Sequence, residues 1–314
     1  MRVRYPESLD PIDIGLIREL ETDARQPYKH LAAKLGVSRP TIQSRIQKLL
    51  DAGIISITCL ANQVALGYTI TAILAINSQP NRLREVAEGL RSCPPVRHAV
   101  LCTGRFDIIA VVMVRDRQEL ANFLSDDLRA IPGLARLETM LTLKQVKVSI
   151  TLLADEGRLL VENPAVELDT MDLALIRELQ ADARQTSNHL ASKLGTSGAT
   201  VRRRIQRLLR KSIIRIQAIA DPFALGFDGM ASIGLKVDPS RLDEAAEAIA
   251  SYRNVQTVAI CTGRYDIVAW AVFRGVSDLH HFITRELGGV TGLRDTEVMT
   301  NLKLVKLSYR LLIE

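Results

Sequence analysis

Residues 31–55, LAAKLGVSRPTIQSRIQKLLDAGII, recur in the same chain as residues 190–214, LASKLGTSGATVRRRIQRLLRKSII. Each copy reads as a short helix, a turn at Gly36 or Gly195, and a second helix with a regular apolar period. Glycine is a strong local breaker of a helical pattern, so it separates the two predicted helices. The stretch therefore predicts a helix-turn-helix, written twice.

The second helix of each copy has its own start signal and one apolar face. Ser38 and Ser197 stand just before the first helical turn, where a serine side chain can accept a hydrogen bond from a free backbone N–H group. The apolar residues that follow have the spacing of one helical face. They are Ile42, Ile46, Leu49 and Leu50 in the first copy and Val201, Ile205, Leu208 and Leu209 in the second.

The repeat extends through nearly the whole chain without a gap. An offset of 159 positions aligns Leu9 with Leu168 and also aligns the segment CTGRFD, residues 102–107, with CTGRYD, residues 261–266. A period this long predicts a duplicated two-domain unit rather than a solenoid. We expect helix-turn-helix domains over 1–60 and 168–219, regulatory domains over 61–152 and 220–314, and a solvated linker over 153–167.

The hydrophobic period changes after the first ~55 residues of each unit, a length set by the switch from a helical to a strand-like pattern. Asp10 and Asp169 can cap a first helix, so each unit begins with three helices. The rest predicts the order βαββαβ, and the fold class is α+β: two tandem units, each a winged-helix-like domain followed by a ferredoxin-like domain. In the first copy the predicted strands are 69–77, 96–102, 107–114 and 137–150, and the predicted helices are 82–91 and 118–130.

The strand after the CTGRFD segment is apolar on both faces. Phe106, Ile108 and Ala110 alternate with Ile109 and Val111, so both sets are apolar. Two helices can cover only one face of a four-stranded sheet. We therefore predict that the second face packs against another copy of the sheet, either between the two halves or between chains, and expect a homo-oligomer through the regulatory-domain sheets.

Composition narrows the classes of partner. The net charge of +6 is concentrated near residues 202–211, and aromatic residues make up only 4% of the chain, too few for stacking on single strands. Duplex DNA is the better partner. No apolar run approaches the ~20 residues of a bilayer span, and the start of the chain has no signal-peptide core. The four cysteines lack metal-like spacing. We expect a cytoplasmic protein with no membrane contact, no metal and no cofactor.

A recognition helix places its outer face and its N-terminal end in the major groove, where some side chains read bases and others hold phosphates. With the apolar faces turned inward, the candidate DNA contacts are outward positions of the two second helices, the serines at their starts and the arginines that flank these positions. In the first copy these are Ser38, Arg39, Thr41, Ser44, Arg45, Gln47 and Lys48, and in the second they are Ser197, Thr200, Arg202, Arg203, Arg204, Gln206, Arg207 and Arg210.

The combination of a helix-turn-helix, the order βαββαβ and the turn Thr-Gly-Arg-aromatic-Asp resembles the Lrp/AsnC family of transcription regulators. The resemblance implies a DNA-binding domain and a regulatory domain that dimerises and binds small effectors, often amino acids. This chain departs from the family pattern because it carries two units in tandem. We expect a sequence-specific regulator rather than an enzyme.

The same resemblance implies an effector pocket beside the glycine turns. In the family this turn and the following strand border a pocket at a subunit junction, where an acidic residue can hold an ammonium group. Asp107 and Asp266 would hold the ammonium group, and Arg105 and Arg264 could hold a carboxylate. The predicted effector residues are Thr103, Gly104, Arg105 and Asp107, with Thr262, Gly263, Arg264 and Asp266 in the second copy.

Three other functions remain open. Siroheme decarboxylases look like the same two-domain unit, and His98 matches their first histidine, but Cys102 stands at their arginine and Gly104 at their second histidine. An RNA-binding module has the same βαββαβ order but needs exposed aromatic residues on its sheet. A ligand sensor that no longer binds DNA is the third alternative.

Overall fold

The computed structural model describes residues 9–154 and 167–309. The chain forms two compact units, and each takes one segment from each repeat. The head unit contains the helix-turn-helix segments up to Leu66 and from Ile150 to Gly226. The barrel unit contains Gly67–Ser149 and Phe227–Ser308. Residues 155–166 of the predicted linker and residues 310–314 of the second predicted regulatory domain lie outside the described residues.

The two repeats have matching elements in matching order. In the first repeat these are α1 (Pro11–Thr22), α2 (Tyr28–Leu35), α3 (Arg39–Asp51), β1 (Ile55–Ala61), β2 (Ile70–Ser78), α4 (Leu83–Ser92), β3 (Val96–Cys102), β4 (Ile108–Val114), α5 (Arg117–Asn122) and β5 (Leu134–Val148). In the second they are α6 (Thr170–Ala181), α7 (Ser187–Lys193), α8 (Gly198–Arg210), β6 (Ile214–Ala220), β7 (Gly229–Val237), α9 (Leu242–Ser251), β8 (Val255–Cys261), β9 (Ile267–Phe273), α10 (Val276–His281) and β10 (Leu293–Leu307).

The predicted helix starts are confirmed. Asp10 accepts hydrogen bonds from the N–H groups of Ile12 and Asp13 at 2.9 Å each, and the Asp13 side chain accepts one from Asp10 in return. The hydroxyl oxygens of Ser38 and Ser197 accept from the third helical N–H group at 3.2 and 3.1 Å. These bonds satisfy donors that a helix leaves free at its start.

The pair β1 and β6 is an element that the sequence analysis missed. The two strands form an antiparallel ribbon in which Ile55 lies opposite Ala220 and Ala61 lies opposite Ile214. Cys59 of β1 is buried in the apolar core formed by α6, α7 and α8 of the other repeat. The ribbon therefore joins the two helix-turn-helix segments into one head unit with a shared core.

Eight strands close into a barrel in the order β10-β3-β4-β2-β5-β8-β9-β7. The barrel interior is lined by buried residues of both repeats, among them Ile73, Ile109, Val268 and Met299. The predicted packing of the second sheet face is confirmed, and it occurs between the two halves of one chain. Of the two alternatives, packing between the halves accounts for the buried faces, and the homo-oligomer through the regulatory-domain sheets stays a prediction.

Boundaries differ from the predictions at two places. The helix predicted over 118–130 is α5 followed by a π-helical turn over Phe123–Asp127, because Phe123 and Leu128 turn inward to the core. The last strand begins at Leu134 and ends at Val148, after which Leu153 of the predicted solvated linker is buried. No helix in the described part of the chain is both long and apolar enough to cross a bilayer.

Candidate nucleic-acid interface and ligand-sensing turns

The helices α3 and α8 occupy the recognition position of the two helix-turn-helix segments. Their apolar faces are buried, with Ile42, Ile46 and Val201 each at most 3% exposed. Gly36 ends α2 with φ of 68°, and Gly195 adopts φ of 63° in the second copy, so both turns have the left-handed backbone that glycine favours. The predicted contact residues that lie exposed are Ser38, Arg39, Ser44, Gln47, Lys48, Ser197, Arg202, Arg203, Gln206 and Arg210, and Thr41 and Thr200 are half-buried.

Arg45 and Arg204, two of the candidate DNA contacts, form ion pairs within the protein. The Nη1 atom of Arg45 lies 2.6 Å from Asp10 and 2.8 Å from Asp13. Arg204 has the same arrangement, with Nη1 at 2.7 Å from Asp169 and 2.8 Å from Asp172. The hydrogen bond to Asp13 raises the pKa of Arg45. Both arginines therefore tie the recognition helix to the start of the first helix of its own repeat.

Arg207 and its counterpart Lys48 do not have the same environment. Arg207 forms an ion pair with Asp172, whose side chain is only 1% exposed. Lys48 is exposed. Gln47 donates to Asp51 at 2.7 Å, whereas the position matching Asp51 is Arg210. The two candidate DNA-contacting faces thus lie on equivalent helices, but they differ in charge and in the ion pairs and hydrogen bonds that their side chains form.

The predicted effector turns lie where the two repeats meet in the barrel unit. The N–H group of Thr103 donates to the carbonyl of Thr300 at 2.9 Å, and that of Thr262 donates to Leu141 at 2.9 Å. Each turn is thus bonded to the long strand of the other repeat. Gly104 and Gly263 have φ of 105° and 94°, a conformation that side chains with a Cβ rarely adopt.

The carboxylates of Asp107 and Asp266 each accept a hydrogen bond from the backbone of the neighbouring strand. The Oδ2 atom of Asp107 accepts from the backbone N–H of Ser78 at 2.8 Å and from its hydroxyl at 3.1 Å. The Oδ2 atom of Asp266 accepts from the N–H of Val237 at 3.0 Å, and its Oδ1 lies 3.0 Å from Lys236 Nζ. One oxygen of each carboxylate is therefore directed at backbone.

Arg105 and Arg264 cross from one repeat to the other. Arg105 Nε donates to Glu297 at 2.8 and 3.0 Å, and Arg264 donates to Glu138 at 2.5 and 2.7 Å. The hydrogen bond from Arg264 lowers the pKa of Glu138. Tyr265 also donates to Glu297, at 2.6 Å.

Sequence reasoning missed the two glutamates and the tyrosine hydroxyl. Glu138 lies on β5, 126 positions before Arg264, and Glu297 lies on β10, 192 positions after Arg105. They are 159 positions apart, so the repeat offset could have marked them as an equivalent pair. The sequence shows Tyr265 as the aromatic residue of the turn. It does not show the hydrogen-bond partner of its hydroxyl, Glu297, which lies on β10.

His98 lies in β3 with its ring edge-on to Trp270, at 6.3 Å between centroids. Desolvation lowers the pKa of His98 to about 4, so the ring is neutral near pH 7. Within residues 9–154 and 167–309, no group of three or more His, Cys, Asp or Glu side chains could hold a metal ion.

Comparison with protein families matches almost the whole repeat in both copies. The AsnC-type helix-turn-helix domain matches residues 9–50 and 168–209. The Lrp/AsnC ligand binding domain matches residues 71–152 and 230–311. The two matches alternate along the chain, in the order expected for a tandem of two units.

Individual relatives correspond to one repeat each. An uncharacterised HTH-type transcriptional regulator of Pyrococcus furiosus is 38% identical over 132 residues, which are 42% of this chain and 89% of that protein. The HTH-type transcriptional regulator LrpA of Pyrococcus horikoshii is 33% identical over 140 residues, which are 44% of this chain and 99% of that protein.

A solved structure matches both repeats together. The siroheme decarboxylase NirDL superposes with a TM-score of 0.65 at 18% identity, covering 96% of this chain and 93% of that one. At this identity the likeness is one of fold. The two family domains, each matched twice over a large share of the sequence, identify the chain as a member of the Lrp/AsnC family that carries two of its helix-turn-helix and ligand-binding units in tandem.

Proposed function

We propose that this protein is a transcription regulator that binds duplex DNA sequence-specifically through α3 and α8 and changes that binding when a small, amino-acid-like effector occupies the turns of the barrel unit. The observation that carries the proposal is the head unit. It holds two capped helix-turn-helix segments, and each exposes polar and basic side chains on its recognition helix.

The exposed side chains have the chemistry that a DNA groove requires. Arg39, Arg202 and Arg210 can neutralise phosphates, which provides affinity that falls as salt rises. Ser44, Gln47 and Arg203 can hydrogen-bond base edges, and such bonds provide sequence discrimination.

The effector part of the proposal rests on the charges gathered at the junction of the two repeats. Asp107 and Asp266 supply carboxylates for an ammonium group, and Arg105 and Arg264 supply guanidinium groups for a carboxylate. Glu297 and Glu138 already occupy these guanidinium groups. An amino acid would therefore bind by exchanging these ion pairs, which gives it a way to change how the two repeats contact each other.

The siroheme decarboxylase alternative is favoured only by the likeness in fold. The positions that correspond to its second histidine and its arginine are Gly104 and Cys102 here, so groups for proton transfer are lacking at these two positions. His98 is matched by Thr257 in the second repeat. We propose that the chain is not an enzyme. A shift in the absorbance of siroheme on anaerobic addition of the protein would favour the alternative.

The test is footprinting of the full chain on the promoter beside its own gene, at two salt concentrations and with a panel of amino acids. We expect protection that weakens at the higher salt concentration and that changes with one or more amino acids. Absence of protection on that promoter and on random duplexes would refute DNA binding and favour a sensor that has lost its DNA contact. Protection that no amino acid alters would refute the effector assignment.

A further inference from the structure

The two recognition helices are related by a local two-fold axis in the head unit. Thr58 of β1 lies directly opposite Gln217 of β6, and these two positions are counterparts in the repeat, 159 residues apart. An antiparallel pair in which a residue faces its own counterpart has its symmetry axis at that point.

Two flanking hydrogen bonds obey the same axis. Asn62 N–H donates to the carbonyl of Ile213 at 2.8 Å, and Asp221 N–H donates to Ile54 at 2.9 Å. Asp221 is the counterpart of Asn62, and Ile213 is the counterpart of Ile54. The two bonds are therefore the same bond formed twice, and the ribbon fixes the two helix-turn-helix segments as an inverted pair.

The side chains on this symmetric backbone are not symmetric. The exposed positions Gln43 and Ser44 of α3 correspond to Arg202 and Arg203 of α8, which are also exposed. At the next position on the face, Arg207 is paired with the buried carboxylate of Asp172, whereas Lys48 is exposed. The second face is thus richer in guanidinium groups, and one of them is paired with a buried carboxylate.

We infer that the DNA site is an inverted repeat of two unlike half-sites, bound in a single orientation. The inference rests on the proposed function, and it concerns which duplex is read. Arginine can bond both major-groove acceptors of guanine at once, and glutamine prefers adenine. The half-site under α8 therefore contains guanine contacted by Arg203. The half-site under α3 lacks that guanine and is read through Ser44, while Gln43 stands where α8 has the phosphate-contacting Arg202.

A homodimer of single repeats presents two identical faces and favours a palindrome, because symmetry of the protein is mirrored in the site. Here the axis is kept by the backbone while the reading residues differ. The composite site is consequently the one sequence in which both faces find their partners. Each base pair mismatched to its reading residue costs about 1–3 kcal/mol, so each palindrome built from one half-site is bound about tenfold more weakly, or more weakly still.

The experiment is selection of the full chain on randomised duplexes, followed by affinity measurements on three designed duplexes. These are the composite site, a palindrome of the first half-site and a palindrome of the second. We expect the selection to recover two unlike halves in inverted orientation and the composite to bind most tightly. Recovery of a palindrome, or equal affinity for the three duplexes, would overturn the inference. Failure to enrich any duplex would instead refute DNA binding itself.

A face exchange tests which residues cause the asymmetry. The variant Gln43→Arg, Ser44→Arg, Lys48→Arg gives α3 the residues of α8 at these three positions, and we expect its preference to move from the composite to the palindrome of the second half-site. The control Ser92→Arg, Ser125→Arg adds the same charge at exposed positions of the barrel unit and should keep the original ranking.

The reciprocal variant Arg202→Gln, Arg203→Ser should move preference toward the palindrome of the first half-site. It removes exposed arginines rather than adding them, so it provides a second readout if the first variant folds poorly. Circular dichroism checks folding in each case. An unchanged ranking in a folded face-exchange variant would overturn the assignment of the reading residues.

Discussion

The hydroxyl of Tyr265 donates to Glu297 at 2.6 Å, and the first repeat has no equivalent bond because Phe106 occupies the matching position. Glu297 therefore receives Arg105 and Tyr265, whereas Glu138 receives Arg264 and Arg136. The two turn regions occupy equivalent positions in the two repeats, but their side chains form different hydrogen bonds. They are chemically distinct sites within one barrel.

Removing this hydroxyl should make the second turn resemble the first. Tyr265→Phe is expected to lower the free energy of unfolding by about 1–2 kcal/mol, because it deletes one hydrogen bond to a charged, partly buried acceptor. Urea denaturation measures this loss, and titration calorimetry measures effector binding. We expect effector binding at the second turn to change and effector binding at the first turn to stay the same. Tyr252→Phe, which removes a bond to the Glu286 carbonyl, is the control and should leave effector binding unaltered.

The ion pair between Arg264 and Glu138 predicts a pH dependence of stability. The bond holds the pKa of Glu138 below its ordinary value of 4.5. A carboxylate with a lowered pKa in the folded state stabilises the protein above its unfolded pKa, and that contribution is lost as pH falls through the folded value. Glu138→Gln should therefore destabilise the protein at pH 7, and its effect should diminish as pH falls below the ordinary value of 4.5 and then through the lowered pKa of the folded state. A destabilisation of equal size at pH 7 and in acid would contradict the ion pair between Arg264 and Glu138.

Replacing Arg204 or Arg202 of α8 by alanine should affect different properties of the protein. Arg204→Ala is expected to lower thermal stability, because Asp169 and Asp172 lose a shared partner. Arg202→Ala should leave stability unchanged and reduce the salt dependence of DNA binding by about one unit, as expected for one lost phosphate contact. Thermal melts and binding at several salt concentrations separate the two. A stability loss in Arg202→Ala would show that exposure alone is a poor guide on this helix.

The assignment of Asp107 and Asp266 can be tested without deleting their bonds to backbone. Asparagine keeps an oxygen that can accept from Ser78 or Val237 but has no charge for an ammonium group. Asp107→Asn with Asp266→Asn is therefore expected to keep the fold and lose the response of DNA binding to the effector. Ser78→Ala is the matched control, since it removes one partner of Asp107 and keeps the charge. A double variant that still responds would refute the assignment.

The sequence predicted what depends on local pattern. Helix periodicity, the caps at Asp10 and Ser38, and the strand order of each repeat follow from neighbouring residues, and all three are present in the structure. The burial of both faces at Ile108 and Ile109 was also predictable, because apolar residues alternate there without interruption.

What could not be predicted depends on partners far along the chain. The strand Ile55–Ala61 is short, and its partner lies 159 residues away, so nothing near it marks a ribbon. Likewise, the helical face alone predicts Arg45 as a DNA contact and gives no sign of its ion pairs. Its pairing with Asp10 and Asp13 depends on how α1 packs against α3. Long-range ion pairs and strand registers require three-dimensional contacts.

The closed barrel affects how promoter occupancy depends on the concentration of the protein. Because β5 pairs with β8 and β10 pairs with β3 within one molecule, both halves are held together at every concentration without association of two chains. Linking two modules replaces a bimolecular equilibrium with an effective local concentration. Promoter occupancy should then follow the first power of protein abundance, so that a cell diluting this regulator by growth would lose control gradually rather than at a threshold.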